Sequence, residues 1–333
     1  MRKTLYLFLL GCMPYLAEAQ SPFVPLNADY YHLIDRFEIR QGAWSNGFHS
    51  STKPYNRQGV IELTDSVIAN PAYYTSPTDR FNLNYLRDDS WEWVTPPPPD
   101  TSQAMSAYQF TPQQPGDSHK RVLDVFYHKK ADAYSVQTPE FDLHVSPVLY
   151  AGFGQQGLSN ALSGDVRPYV NTRGLELRGT IGKKLGFYTF FADNQAAYPR
   201  YIRDYGQIYR VEGLGRSFAP GEGFVKEFKQ TGVDYISARG YITVNALKII
   251  NIQFGHDRNF IGNGFRSLLL SDNTSPYLFL KLTTRFGPFQ YTNLFTELQN
   301  TERPLASNQL YPQKFAAMHH LSANIGKHVN VGL

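Results

Sequence analysis

Apolar and polar residues alternate with a period of two along much of the chain after residue 138, which predicts β-strands. Each predicted strand therefore has one apolar face and one polar or charged face. A soluble sandwich points the apolar face to its core, whereas an outer-membrane barrel turns it to lipid and lines its lumen with the polar face. The clearest alternation lies in residues 175–181, 236–244, 250–255 and 278–283.

The lengths of the connections distinguish these two architectures. Tight turns join the strands of each predicted pair, whereas residues 196–231, 259–275 and 301–314 form long loops between pairs. Outer-membrane barrels have short turns on the periplasmic side and long loops outside. A soluble sandwich is the alternative, but strands of about 11–14 residues exceed its usual length of about 5–6. The predicted pairs are residues 169–182 with 185–195, 232–245 with 248–258, 276–286 with 289–300, and 315–326 with 328–333.

We therefore predict an all-β transmembrane fold, an outer-membrane antiparallel β-barrel in residues 138–333. Residues 138–153 add a strand to the pairs, which brings the count to about nine. Bacterial single-chain barrels have an even number of strands, and the last predicted strand stops at residue 333. We expect the sequence to be the N-terminal portion of a longer protein, truncated at its C-terminus.

Residues 20–95 carry helical signals instead. One helix is predicted in residues 26–40, which contain an apolar stripe with helical spacing. A second helix is predicted to begin near Asn56, and a third at Ser76, where a capping serine is followed by a proline. Residues 96–137, which open with four prolines, are predicted to be a Pro-rich linker and lead-in to the first strand.

Residues 1–19 have the pattern of a secretory signal peptide. A basic start and a short apolar run precede small residues at Ala17 and Ala19, which fit a cleavage site. The single cysteine, Cys12, lies inside this segment, so the mature chain is predicted to have neither a disulfide nor a cysteine metal site. A lipoprotein signal with a lipidated Cys12 is the alternative, and Leu10 fits that pattern poorly.

Composition and charge exclude several classes of protein. The hydrophobic fraction of 42% is too high for a disordered chain. No run of about 18 apolar residues is present, so a helical membrane protein is excluded as well. The formal net charge of +4 arises from 32 basic and 28 acidic residues spread along the chain, which argues against nucleic acid as a partner.

The longest motif is FGHDRNFIGNGFRSLLLSDN at residues 254–273, in which a glycine-containing loop is followed by a run of serine and leucine. It resembles a motif of the Wzi family of outer-membrane capsule-assembly proteins, in the Bacteroidetes branch that includes proteins associated with gliding motility. The resemblance extends over most of residues 28–333. Shorter segments that resemble the same family are residues 54–57, 81–86, 173–179 and 190–195.

The resemblance implies that this chain holds about half of an 18-stranded barrel, preceded by a small helical plug at its periplasmic end. It also implies a cell outer-membrane location and a non-enzymatic, lectin-like function, the anchoring or assembly of capsular or exopolysaccharide. The implied partners are polysaccharide and outer-membrane lipid, without a cofactor. The alternatives are an outer-membrane diffusion channel or transporter, and a surface scaffold for gliding motility machinery that binds motility or other surface proteins.

The long segment 196–231 supplies the candidate polysaccharide-binding residues. Aromatic faces stack on sugar rings, and arginine pairs with acidic sugars. The alternative is that the tyrosines pack on the barrel rim as an aromatic girdle. The candidates are Tyr198, Arg200, Tyr201, Arg203, Tyr205, Tyr209 and Arg210.

The family-motif loop supplies a second set of candidates. Its two glycines permit positive φ. The candidates for facing the lumen, where charge pairs would hold the loop folded inward, are His256, Asp257, Arg258 and Arg266. Glycan contact is the alternative role. An outer-membrane lipase with Ser267 or Ser271 as nucleophile is disfavoured because the strained turn of a nucleophile elbow is missing, and no catalytic residue or metal ligand is predicted. The set comprises His256, Asp257, Arg258, Gly262, Gly264, Arg266, Ser271, Asp272 and Asn273.

Charged residues also occur on the polar faces of the predicted strands. They either set the ion selectivity of an open pore or form a ladder across the lumen that blocks it. Helices placed ahead of the barrel favour a plugged lumen. These residues are Glu176, Arg178, Arg239, Lys281 and Arg285.

Overall fold

The computed structural model describes residues 21–26, 28–94, 117–118, 126–156, 167–208, 216–229, 231–246, 249–299 and 312–333. The predicted signal peptide and most of the predicted linker, residues 96–116 and 119–125, lie outside the described residues. The described part contains a helical unit, which is the N-terminal segment from residue 21 to residue 94, and a large β-sheet.

An antiparallel sheet of 12 strands forms most of the described structure. The strands of the chain are β1 (Thr52–Lys53), β2 (Tyr134–Gln137), β3 (Phe141–Phe153), β4 (Tyr169–Ile181), β5 (Leu185–Ala197), β6 (Arg216–Ala219), β7 (Gly223–Phe228), β8 (Gly232–Ala246), β9 (Ile250–Asp257), β10 (Phe260–Ile261), β11 (Tyr277–Phe286), β12 (Phe289–Gln299), β13 (Gln313–Ile325) and β14 (Val329–Gly332). Ten strands are neighbours in the order β14-β13-β12-β11-β9-β8-β5-β4-β3-β2, the hairpin β6–β7 joins at β8, and β1 pairs with β10 outside this sheet.

The structure confirms the antiparallel β-rich fold and the four predicted hairpins. β4 pairs with β5, β8 with β9, β11 with β12 and β13 with β14, each across a short turn. β2 was not predicted, and it extends the sheet beyond the predicted strand at residues 138–153, which is β3. Within the described residues the sheet is an open meander with β2 and β14 at its two ends.

The helical unit contains α1 (Ala28–Gln41), α2 (Arg57–Ile68) and α3 (Pro77–Asp89). The predicted starts of α2 and α3 are confirmed, because the Asn56 side chain accepts from the Gly59 backbone N–H and Ser76 caps α3 in the same way. Apolar side chains from all three helices form one buried core, which includes Ile34, Phe37, Leu63, Leu83 and Leu86. None of the helices in the described residues is both long enough and apolar enough to cross a membrane.

Burial alternates along the strands, and much of the buried face is polar. In β12 the side chains of Gln290 and Thr292 are buried, whereas the outward Phe289 and Phe295 are 39% and 40% exposed. The outward face of the described sheet is therefore apolar and exposed, which is the reverse of a soluble sandwich. Other exposed apolar side chains on this face are Leu149, Phe191, Ile236, Phe254, Leu278 and Phe315.

The helical unit packs against the polar, inward face of the sheet. Near its N-terminal end, the Phe23 backbone N–H donates to the Tyr241 hydroxyl of β8 at 2.8 Å. On the other side, Nδ1 of His49 lies 2.9 Å from Oγ of Ser322 in β13. The polar face of the sheet thus finds its partners in the helical unit.

Candidate functional site

The predicted loop at residues 196–231 is not a loop, and this part of the prediction is wrong. It contains helix α4 (Arg200–Ile208) and the hairpin β6–β7. Pro199 directly precedes the helix, and its carbonyl accepts from the backbone N–H groups of Ile202 at 3.0 Å and Arg203 at 3.2 Å. Tyr205 then packs edge-on against Phe218 of β6, with ring centroids 5.6 Å apart.

A groove lies where the start of α4 approaches the connection between β3 and β4. We call it the outer groove; it has a volume of about 520 Å³, and its wall includes Gln155, Gln156, Arg200, Tyr201 and Asp204. The Arg200 backbone N–H donates to Oε1 of Gln156 at 3.1 Å, which joins the two segments. Tyr201 is 73% exposed, so its ring is free to meet a ligand.

The charges of the outer groove stay accessible. Nε of Arg200 lies 3.7 Å from Oδ2 of Asp204 one turn later, and both side chains are more than half exposed. An exposed ion pair of this kind is weak. The groove therefore presents a guanidinium, a carboxylate, two amides and an aromatic ring to solvent, and this set binds hydroxyl and carboxylate groups.

Tyr198, Arg203 and Tyr205 are not among the residues that line the outer groove. The Tyr198 hydroxyl lies 2.9 Å from the Tyr235 hydroxyl, and burial raises the pKa of Tyr198. Tyr205 packs on Phe218, and Arg203 is partly buried. Tyr198 and Tyr205 thus contact other aromatic residues instead of lining the outer groove. Tyr209 and Arg210 lie outside the described residues.

The family-motif loop folds inward onto the helical unit, as predicted. β10 pairs with β1, and the Gly262 backbone N–H donates to the Ser51 carbonyl at 2.8 Å. Gly262 has a φ of +138°, a conformation that favours glycine, whereas Gly264 does not have a positive φ. This loop therefore connects the helical unit to the end of the sheet that carries the long connections.

A charge pair of Arg258 holds the family-motif loop, as predicted. Arg258 donates to Oε1 of Glu222 at 3.0 Å and to the Gly221 carbonyl at 2.5 Å, so the loop is tied to the β6–β7 turn. Burial lowers the pKa of Arg258. Nη1 of Arg266 lies 4.0 Å from Oδ1 of Asp272.

His256 does not face the lumen side, and that prediction is wrong. It alternates with the buried Gly255 on β9 and is exposed on the outward face, with Nδ1 3.1 Å from the Ala238 carbonyl. Asp257, the next residue, is on the inward face. Ser267 donates to the Ile261 carbonyl, and Ser271 accepts from the Asn273 backbone N–H at 3.1 Å, so the partners of both serine hydroxyls are groups other than His256.

A buried ionic network joins the helical unit to the first strands of the sheet, and of its members only Arg178 was predicted to carry an inward charge. Arg178 pairs with Glu92 and lies 3.5 Å from Asp132, which accepts from Nε1 of Trp91 at 2.6 Å and contacts His144 at 2.6 Å. Burial alone raises the pKa of Asp132, but these partners hold it below its usual range. The only sequence signal for this network was the position of Arg178 on the polar face of a predicted strand.

No family model, curated protein or solved structure matches this chain. The likeness to the Wzi family therefore rests on the sequence motifs alone.

Proposed function

We propose that this protein lies in the outer membrane and anchors or assembles surface polysaccharide without a chemical step. The observation that carries the glycan-binding part is the outer groove, in which Arg200, Tyr201 and Asp204 face Gln155 and Gln156. Aromatic rings, amides and charged groups bind sugar rings, hydroxyls and acidic sugars, respectively. Because binding alone anchors a polymer, this function needs no nucleophile and no general base.

The membrane location is supported by the outward face of the sheet. Soluble proteins rarely leave a large contiguous apolar surface exposed, and such surfaces mark membrane or protein contacts. The strand lengths also suit the proposal, because a tilted transmembrane strand needs about 9–11 residues and β4, β5 and β13 each have 13. In the proposed arrangement the short turns are periplasmic and the outer groove faces the cell exterior.

The packed interior supports an anchor rather than a diffusion channel. The ion pair of Arg178 with Glu92 lies where an open pore would need water, and both side chains are about 5% exposed or less. A channel would need the helical unit to leave this position. In the proposed function the helical unit stays in place.

Binding of acidic surface polysaccharide to the purified protein in detergent, measured by calorimetry, tests this function. We expect the double variant Arg200→Ala, Tyr201→Ala to bind about tenfold more weakly or worse, which corresponds to about 1.4 kcal/mol. Lys226→Ala is the matched control, since Lys226 is an exposed cation of β7 outside the outer groove.

Two results contradict the proposal in different ways. Equal binding by the double variant and the control removes the glycan site from the outer groove. No binding by the unaltered protein removes the polysaccharide function, and the motility scaffold or the channel becomes the preferred explanation.

A further inference from the structure

A second cavity lies at the opposite end of the sheet, between the helical unit and strands β8, β9, β11 and β12. Its volume is about 420 Å³, which is within the range of about 300–1,000 Å³ for small-molecule sites. Asn245, Asn251 and Gln290 contribute to the sheet side of the wall, and Asn56 contributes from the helical unit. We call it the inner cavity; it lies beside the short turns.

The charges of the inner cavity all have one sign. Lys281 and Arg285 both line it, and none of its described lining residues is an aspartate or a glutamate. Both cations lie on the inward face of β11, four residues apart, which places their Cα atoms about 13 Å from each other. Thr283 lies between them on the same face. The wall is therefore cationic along its length.

These two cations differ from three arginines of the interior that pair with carboxylates. Arg57 lies 2.5 Å from Asp89, Arg178 pairs with Glu92, and Arg258 lies 3.0 Å from Glu222. Burial of an unpaired charge is costly, so pairing of this kind is the usual arrangement.

Among the described residues Lys281 and Arg285 hydrogen-bond only to neutral groups. The carboxylates that act on their charges, Asp257 on Lys281 and Glu62 on Arg285, form no ion pair with them. Nζ of Lys281, a residue that is 3% exposed, donates to Oδ1 of Asn259 at 2.9 Å. Arg285 donates to the carbonyls of Gly47, at 2.6 Å, and Asn46. Neither has a carboxylate within 4.0 Å in the described part of the chain, and both line the same empty space. A bound anion would supply a closer countercharge.

The rest of the wall specifies what kind of anion fits. Amide side chains predominate among its polar groups, and they donate to and accept from hydroxyl groups. Phe286, which is 52% exposed, adds aromatic surface of the kind that packs against the apolar faces of sugar rings. A bare inorganic anion would leave the amides and the ring unused.

We propose that the inner cavity binds an acidic saccharide of one or two sugar units, with its carboxylates toward Lys281 and Arg285. The ligand is a free uronic acid or the end of an acidic glycan, and these two sources share the same recognised groups. This site is separate from the outer groove, so the proposal does not depend on the function proposed above.

Calorimetry with the purified protein tests the inner cavity, with galacturonate, digalacturonate and the neutral disaccharide cellobiose as probes. We expect digalacturonate or galacturonate to bind and cellobiose to bind at least tenfold more weakly. Lys281→Met removes the charge of Lys281 at similar side-chain volume, and Arg285→Gln removes the charge of Arg285. Each substitution is expected to weaken binding tenfold or more. Lys281→Arg is expected to retain it.

Two control variants locate the effect. Lys327→Met removes an exposed cation at a neighbouring turn, and Tyr201→Ala alters the outer groove; both are expected to bind digalacturonate like the unaltered protein. If galacturonate binds as tightly as digalacturonate, the site takes a single sugar unit. If digalacturonate binds more tightly, the ligand is the end of an acidic glycan. Unchanged binding by Lys281→Met and Arg285→Gln, equal binding of cellobiose, or no binding of either acid overturns the proposal.

Discussion

Asp79 is buried at the start of α3 and depends on its immediate partners. The Ser76 hydroxyl donates to it at 2.7 Å, Arg36 at 3.0 Å and Arg40 at 2.5 Å. Burial alone raises the pKa of the Asp79 carboxyl, but the hydroxyl and the two guanidinium groups hold it below its usual range. Asp79 therefore stabilises the fold only while its carboxylate is charged.

We predict that Asp79→Asn lowers the free energy of unfolding by about 3 kcal/mol at pH 7, because it breaks a buried ion pair. Since the folded-state pKa is depressed, this contribution is fully present above the unfolded-state pKa of about 4 and is lost as the pH falls through the folded-state value. Urea unfolding of the purified protein at pH 7 and near pH 2 measures the difference between the two proteins.

Asp65→Asn is the control for Asp79→Asn, because the Asp65 side chain is 49% exposed and pairs with Arg87 at the surface. We expect it to cost less than about 1 kcal/mol at pH 7. An Asp79→Asn deficit of the same size at both pH values would contradict the account of this residue.

At the scale of elements, a helix or strand can be predicted from the sequence when the residues that determine it are adjacent in the chain. The start of α3 at Ser76 was predictable because the cap and the following proline are adjacent in sequence. α4 and the β6–β7 hairpin were missed, although Pro199 and the Pro-Gly pair at residues 220–221 are local signals for a helix start and a turn. The two elements support each other across this segment, since Tyr205 of α4 contacts Phe218 of β6.

The candidate site likewise contains residues that the sequence predicts and residues that only the fold brings together. Arg200 and Tyr201 were predicted from their residue types, whereas Gln155 and Gln156 were not. These two amides belong to the outer groove only because the β3–β4 connection meets the start of α4, and the hydrogen bond from Arg200 to Gln156 spans 44 residues of sequence. A contact of that range has no signature in a local pattern.

His49 connects two elements, the helical unit and β13, through its contact with Ser322. Burial, the charge of Arg285 and the neighbouring His320 lower the pKa of His49 to about 4. The unfolded chain, with a histidine pKa of about 6.5, therefore binds the proton first as the pH falls. Stability conferred by the neutral imidazole is lost between these two values, so acidification weakens this connection.

We predict that the free energy of unfolding falls by at most about 3 kcal/mol between pH 7 and pH 4 on account of His49. His49→Gln is expected to flatten the pH dependence in this window, as measured by urea unfolding at half-unit steps of pH. His128→Gln, which alters an exposed imidazole, is expected to leave the pH dependence unchanged. A His49→Gln profile as steep as that of the unaltered protein would be inconsistent with this assignment.

At the scale of the whole molecule, the sheet has its polar face covered and its apolar face open. In β11 the buried Tyr277, Phe279 and Lys281 alternate with the outward Leu278, Leu280 and Leu282, and Leu278 is 38% exposed. The outward face becomes charged near the long connections, where Arg173 pairs with Asp193 at 2.9 Å. An apolar band that ends in charged residues suits a bilayer and its headgroup region.

Spin labels at single cysteines of β11 test most directly the proposal that the outward face of the sheet contacts lipid. The chain has one native cysteine, Cys12, so a Cys12→Ser background leaves each label at one position. After reconstitution into phospholipid vesicles, labels at Leu278, Leu280 and Leu282 are predicted to be accessible to oxygen and shielded from a water-soluble nickel chelate, whereas labels at Tyr277 and Phe279 are shielded from both. Outward labels as accessible to the nickel chelate as a label at Tyr201 would contradict the account.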